Sequence, residues 1–259
     1  MILSRELLSD EKRLSRLLEE LERERSISKK VLLLGTEEKA ADCVSAIGKR
    51  DGGLFLWDFY KNTAEEAAVT KALDLDTLLA ERAEGDGAVF PLISFTEVGL
   101  RIGGGLAVCG GKTALLKGAA ERGSLFLVGE GKGVLLEGKL PLRVRKSKTE
   151  YSFFRRGEKL CCILTVKAEG EFSGSGGKAE ERRAERFFER VIRREAEQAL
   201  SETAECGDVF GILTEAYRQS PDLLRGKTRA ELWQEMEISV RPEVRLRTLE
   251  RKTENQFKI

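Results

Sequence analysis

From Ala88 to Leu136 the chain breaks into short apolar runs separated by glycine: "AVFPLISF", "VGLRI", "GLAVC", "KTALLKG", "LFLVG" and "GVLLEG". Runs of this length fall short of the three or four turns of an ordinary helix, but each is long enough to cross a sheet. The glycines supply the positive backbone angles that tight reversals need. This stretch is therefore expected to be sheet and turn.

Its densest part, "GGGLAVCGGKTALLKG" (103–118), also holds Gly111-Lys112-Thr113, the triplet that closes a phosphate-cradling loop. Such a loop needs G-x-x-x-x-G-K-[ST], the ring size that turns backbone N–H groups onto a phosphate. Its first glycine would be residue 106, which is leucine, and Gly105 lies one position too far. Leu106-Ala107-Val108-Cys109 is an apolar strand where the loop should be open, and "ALLKG" lasts one turn before Gly118. The segment reads instead as a hairpin of strand "GLAVC", turn "GGKT" and return strand "ALLKG".

Upstream, Leu14, Leu17, Leu18 and Leu21 recur at helical spacing in "EKRLSRLLEELERER". "KVLLLG" (30–35) reads as a short buried strand. The helix after it takes Thr36 as N-cap, Ala40, Val44 and Ile47 as its apolar stripe, and Gly48 as its stop. A further helix is expected over 75–85. Downstream, "LPLRVRKSKTEYSFFRRGEKLCCILTVKAEGEF" alternates Leu140, Leu142 and Val144 against Arg143 and Arg145, and "RRGEK" (155–159) supplies the turn of a second hairpin. A flexible break at 173–178 precedes the longest helix, over 179–205, and two shorter helices follow. The closing stretch "EISVRPEVRLRTLE" alternates again, and Pro242 makes it an edge strand or a bulged one. The expected class is α+β: a mixed sheet with helices in 1–138, then a unit over 139–259 in which a long helix packs an antiparallel sheet.

The 259 residues suffice for one large domain or two modest ones. Lys and Arg number 45 against 44 Asp and Glu, so no global field points to nucleic acid. Within 139–160, eight basic residues stand against two acidic ones. Arg143, Arg145, Lys146 and Lys148 form the candidate basic face, suited to an anionic lipid surface or an acidic partner. Histidine is absent, which removes the usual general base and zinc ligand. The five cysteines show no C-x-x-C spacing, and Cys161 and Cys162 point to opposite faces of a strand; core packing is the expectation for most of them.

With the hairpin in place, Pro91–Gly138 resembles the Ger(x)C family, the C-subunits of bacterial spore germinant receptors. The resemblance lies in "FPLIS", "GGLAVC", "GGKTALLKG" and "AAERGSLFLVGEGKGVLL", which match that family's strand, hairpin, Glu and Arg-Gly helix and following strand in order. Cys109 stands where the family usually has Phe. The hairpin at 140–172 and "ECGDVFGILTEAYRQSPDLLRGKTRAELWQEMEISVRPEVRLR" are similar to its second half. The resemblance implies a non-enzymatic lipoprotein subunit without catalytic residues, cofactor or metal. It would sit at the outer face of the spore inner membrane beside membrane-embedded receptor subunits. The family begins with a signal peptide and a lipid-modified cysteine. Neither precedes Met1, and Cys43 lies within an expected helix. The chain is thus expected to be a fragment, a shortened gene product or a divergent soluble form, without an anchor of its own.

Two rival classes remain: a soluble nucleotide-binding enzyme using Gly111-Lys112-Thr113, and a nucleic-acid binder using the basic strands. The near-neutral charge and 7% aromatic content oppose the second.

Overall fold

A computed structural model of the chain describes residues 1–47, 51–63, 67–96, 99–136, 141–172 and 178–248. The first sheet holds β1 (Ile2–Ser4), β2 (Leu32–Thr36), β4 (Ala88–Thr96), β5 (Gly99–Cys109) and β6 (Lys112–Leu116) in that order, with β3 (Leu73–Asp74) paired to β2. β1, β2 and β4 run parallel, while β4, β5 and β6 form an antiparallel meander. "VGLRI" and "GLAVC", separate runs in the sequence, are one strand, β5. The expected hairpin is present: Cys109 pairs with Lys112 across Gly110 (φ 56°) and Gly111 (φ 77°), a two-residue reversal that both glycines make possible.

Helices α1 (Arg5–Leu8), α2 (Glu11–Arg23), α3 (Ala40–Ile47), α4 (Gly52–Asn62) and α5 (Leu75–Ala83) flank this sheet. The α2 stripe buries Leu14, Leu18 and Leu21 against Phe90, Leu106 and Leu33. Two details of α3 differ from expectation. Thr36 is not an N-cap: it ends β2, is fully buried, and its hydroxyl accepts from the Glu38 amide and contacts the Cys43 thiol. Val44 is 58% exposed, and the inward residue is Cys43, one position earlier on the helix. A valine and a cysteine one residue apart satisfy the same pattern, and only the neighbouring β2 selects between them. "LFLVG", read as strand, is instead the end of α6 (Ala119–Leu127) and the turn after it. Its apolar side chains Leu125, Phe126 and Leu127 all find cover, because α6 is buried on more than one side.

The second sheet has the order β10-β9-β8-β7, with β7 (Leu135–Leu136), β8 (Leu142–Arg156), β9 (Lys159–Phe172) and β10 (Glu237–Thr248). β8 and β9 form the expected antiparallel hairpin around Gly157 (φ 62°). β10, however, pairs with β9 in parallel, so the sheet is mixed and not wholly antiparallel. The chain between them forms α7 (Lys178–Glu202), α8 (Ile212–Gln219) and α9 (Arg229–Glu235). This is a long crossover, and it returns the chain in the same direction. Pro242 lies on an edge strand, as its missing donor requires.

α7 lies across the inner face of this sheet, burying Phe188, Val191, Ile192, Ala196 and Ala199 against Val166, Leu164 and Val244. The same core takes in Leu116 and Ala107 of the first sheet and most of α6. Of the cysteines, Cys43, Cys161, Cys162 and Cys206 are buried and Cys109 is partly so; all five are thiols. Gly48 as a helix stop, Lys139 and Leu140 in the hairpin, and residues 173–177 of the expected break lie outside the described residues.

Candidate interaction surface

The four candidate basic residues span both strand parities, so a regular β8 would send two of them inward. A bulge between Val144 and Lys146 prevents this. Before it Leu142 and Val144 point into the core; after it Ser147, Thr149 and Tyr151 take the inner side. Arg143, Arg145, Lys146 and Lys148 are all exposed on the outer face as a result.

That face also carries carboxylates from β9 and from β8 itself. Arg145 meets Glu171 at 2.8 Å, Lys146 meets Glu169 at 4.0 Å, and Glu150 accepts from Lys148 at 3.1 Å and Lys167 at 2.6 Å. The Lys167 and Lys148 hydrogen bonds hold the Glu150 carboxyl below its ordinary range. A shallow cleft of about 440 Å³ between the hairpin and Gly129–Lys132 is lined by five cations, Lys132, Arg145, Lys146, Lys148 and Lys167, against Glu130 and Glu169. With Glu150 and Glu171 at its margin, the outer face is a laddered surface of mixed charge and only a small cationic excess. Composition of one strand reveals only Glu150, because Glu169 and Glu171 come from the neighbouring strand β9.

The Gly111-Lys112-Thr113 triplet occupies the turn and the start of β6. Lys112 is exposed, and the Thr113 hydroxyl accepts from Arg5 Nε at 3.3 Å. No helix N-terminus follows it directly, so the backbone cradle of a phosphate loop is not formed.

The motif residues that carried the resemblance are structural. In α6, the Glu121 carboxylate accepts from the Gly104 amide at 2.5 Å, at a kink in β5 where Gly103 and Gly104 both have positive φ. Burial raises the Glu121 pKa, opposed by hydrogen bonds from the Gly104 and Thr70 amides. Arg122 next to it makes two-pronged contact with Glu195 of α7, at 2.5 and 3.2 Å, and Glu195 is 1% exposed. Gly123 permits the crossing of α6 and α7: a Cβ there would stand 1.9 Å from the Glu195 carbonyl oxygen. At the other end of α6, Thr149 and Tyr151 of β8 donate to the Phe126 and Leu127 carbonyls, closing the helix terminus onto the sheet.

Asp208 likewise serves the fold. Its carboxylate accepts from the amides of Phe210, Ile212 and Leu213, which starts α8. Burial nonetheless pushes its pKa up to about 6. Its carbonyl accepts from Gly87, and the neighbouring Asp86 binds Thr214 and Arg229, whose guanidinium lies 5.3 Å over the Tyr217 ring. Glu81 completes this acidic cluster, its pKa raised to about 7 by burial and by the charge of Asp86. The sequence reading missed this cluster because its members are 81 to 229 in the chain and no spacing rule links them.

It also passed over α4, "GGLFLWDFYKN", where Leu54, Phe55 and Trp57 are exposed by 69%, 55% and 44%. The available signal was the density of aromatic residues without helical periodicity. Among the described residues no helix is long and apolar enough to cross a membrane, and no group of three or more His, Cys, Asp or Glu side chains is placed to hold a metal ion.

The crystal structure of the GerBC protein shares this fold: TM-score 0.73 at 16% identity, covering 95% of this chain and 78% of that one. No curated protein matches the chain. The family model "Spore germination B3/ GerAC like, C-terminal" matches residues 112–250, more than half the chain and including α6, the β8–β9 hairpin, α7 and β10. Members of that family are non-catalytic receptor subunits and generally membrane-associated. The chain belongs to the Ger(x)C family and has the role of a germinant-receptor C-subunit in spore germination.

Proposed function

We propose that this chain is a non-catalytic binding and assembly module on the extracytoplasmic side, at the outer face of the spore inner membrane, working with membrane-embedded receptor subunits. The observation that supports this most is the use made of its polar motif residues. Glu121 and Arg122 each join one element to another and Asp208 starts α8, through hydrogen bonds to backbone amides or to a buried partner. A general acid or base needs a proton-transfer partner in reach, and these groups face amides and a guanidinium.

The units 1–138 and 139–259 then act as one body, since the larger core draws on Ala107, Leu116 and α6 as well as on the second sheet. The outer face of the β8–β9 hairpin, with Arg143, Arg145, Lys146 and Lys148, is the surface offered to anionic lipid or to an acidic face of a partner. Its acids reduce the field, so attraction should be modest and salt-sensitive.

Pull-down from detergent after co-expression with the multi-span subunits of a germinant receptor tests the assembly role; recovery of a complex is expected, and elution of this chain alone overturns it. Reversing Arg143, Arg145 and Lys146 to Glu should weaken association with phosphatidylglycerol vesicles or with the complex. Unchanged association at low salt would remove the hairpin from the proposal.

A further inference from the structure

We propose that the first turns of α4 dip into the lipid bilayer at its interfacial zone, with Leu54, Phe55 and Trp57 as the inserted side chains. The inference rests on the membrane-surface reading above and names a second, chemically different contact within it.

Helices on globular surfaces normally turn their apolar residues inward. In α4 only Leu56 and Gly52 are buried, while Leu54, Phe55 and Trp57 stand in solvent. They surround a shallow depression of about 430 Å³ whose other lining residues are Asp51, Asp58 and Lys61. Asp58 accepts from Asn62 Nδ2 at 2.6 Å, so Asp58 and Lys61 lie towards the helix C-terminus and Asp51 just before its start, with the apolar side chains between them. Leucine and large aromatics beside short polar groups are the residue types that interfacial helices bury among acyl chains and headgroups.

Area and charge decide the kind of occupant. Side chains of this size bury roughly 150–250 Å² each. The exposed fractions of the three therefore offer about 250–400 Å² of apolar surface, well short of the ~800 Å² per partner of a specific protein interface. A second copy of the chain or a folded partner would need a wider complementary surface than this helix presents. A bilayer imposes no such requirement, because lipid conforms to whatever protrudes. The described charges on this face, Asp51, Asp58 and Lys61, sum to −1, so electrostatic attraction to an anionic surface is not what holds it. The family is generally membrane-associated, so a lipid surface is within reach of an exposed apolar patch of this kind.

This yields a signature opposite to that of the basic hairpin: binding by α4 should be indifferent to lipid charge and to salt. The chain has two tryptophans, so Trp233→Phe leaves Trp57 as the sole reporter. The full chain with that change is titrated with vesicles of phosphatidylcholine alone and of phosphatidylcholine with phosphatidylglycerol. The expected result is a blue shift of Trp57 emission and loss of acrylamide quenching with both, persisting in high salt. Leu54→Asp with Phe55→Asp should cut the vesicle-bound fraction several-fold while leaving the melting temperature unchanged, as both side chains are exposed. The inference is overturned by no shift with either vesicle, or by binding that survives the Asp pair. It also fails if binding needs phosphatidylglycerol and is abolished by salt and by Glu at Arg143, Arg145 and Lys146, a result that would leave the hairpin reading standing. A shift seen only with solubilised receptor subunits would reassign the patch to a protein and overturn it too.

Discussion

Gly123 of α6 lies directly against the backbone of Glu195 in α7, with room for hydrogen and nothing larger: a Cβ would be 1.9 Å from the Glu195 carbonyl oxygen and 2.8 Å from the Ala196 amide nitrogen. The obstacle is main chain, which cannot rotate away. Gly123→Ala must therefore separate the two helices and open the core around Leu125, Phe126 and Ile192. A loss of about 3 kcal/mol or more is expected from overpacking of this kind, measured by chemical denaturation. A melting curve within a degree of the parent would show that the helices can part without cost.

Arg122 adds an electrostatic tie to the same crossing. Glu195 is 1% exposed, so removing its partner leaves a buried charge without compensation. Arg122→Ala should cost about 3–5 kcal/mol, whereas Arg122→Met combined with Glu195→Leu should restore much of that. A double-mutant cycle by urea unfolding checks it; purely additive effects would mean that the ion pair is not the tie.

Glu81 and Asp208 predict how stability varies with pH. Both carboxyls have folded pKa values above their ordinary ones, about 7 and about 6, with burial the largest cause in each. The folded protein thus keeps protons that the unfolded chain releases near pH 4. The stabilisation is full at acid pH, falls as pH rises from about 4 to about 7, and is absent above that range. Glu81→Gln keeps the shape and removes one ionisation beside Asp86. Its melting temperature should match the parent at pH 4 and exceed it at pH 8, by the equivalent of about 1 kcal/mol once residual exposure is discounted. Superimposable pH profiles for the two proteins would refute the assignment.

The outer edge of β10 is guarded by α7. The amides of Val244 and Leu246 donate to Glu189 and Glu185, Arg193 donates to the Val240 carbonyl, and Pro242 has no amide to offer. A sheet edge left open is a template for a second chain. Replacing Glu185 and Glu189 together by Ala should leave the fold intact but raise the tendency to self-associate, seen by light scattering at rising concentration. A variant that stays monodisperse would show that Pro242 and the twist of the edge suffice.

Much of the secondary structure is legible locally, because turns and periodicity are properties of neighbouring residues. Gly110-Gly111 and Gly157 announce both hairpins, the leucines of α2 announce its buried side, and Pro242 announces an edge. In two places the local pattern is ambiguous. Cys43 and Val44 compete for one helix face, and "LFLVG" is equally apolar as strand or as fully enclosed helix.

The Ger(x)C membership and the α+β class could be read from residues in order along the chain, since hairpins, helix stripes and motif order are encoded over a few to some tens of positions. Only tertiary structure decided what those residues do. It brought Arg122 to Glu195 across 73 positions and Asp86 to Arg229 across 143, turned β10 parallel, and used a bulge to gather four cations on one face beside acids from β9. It also left Leu54, Phe55 and Trp57 in solvent. Each of these outcomes depends on which surfaces pack together, and packing joins positions whose separation no local period encodes.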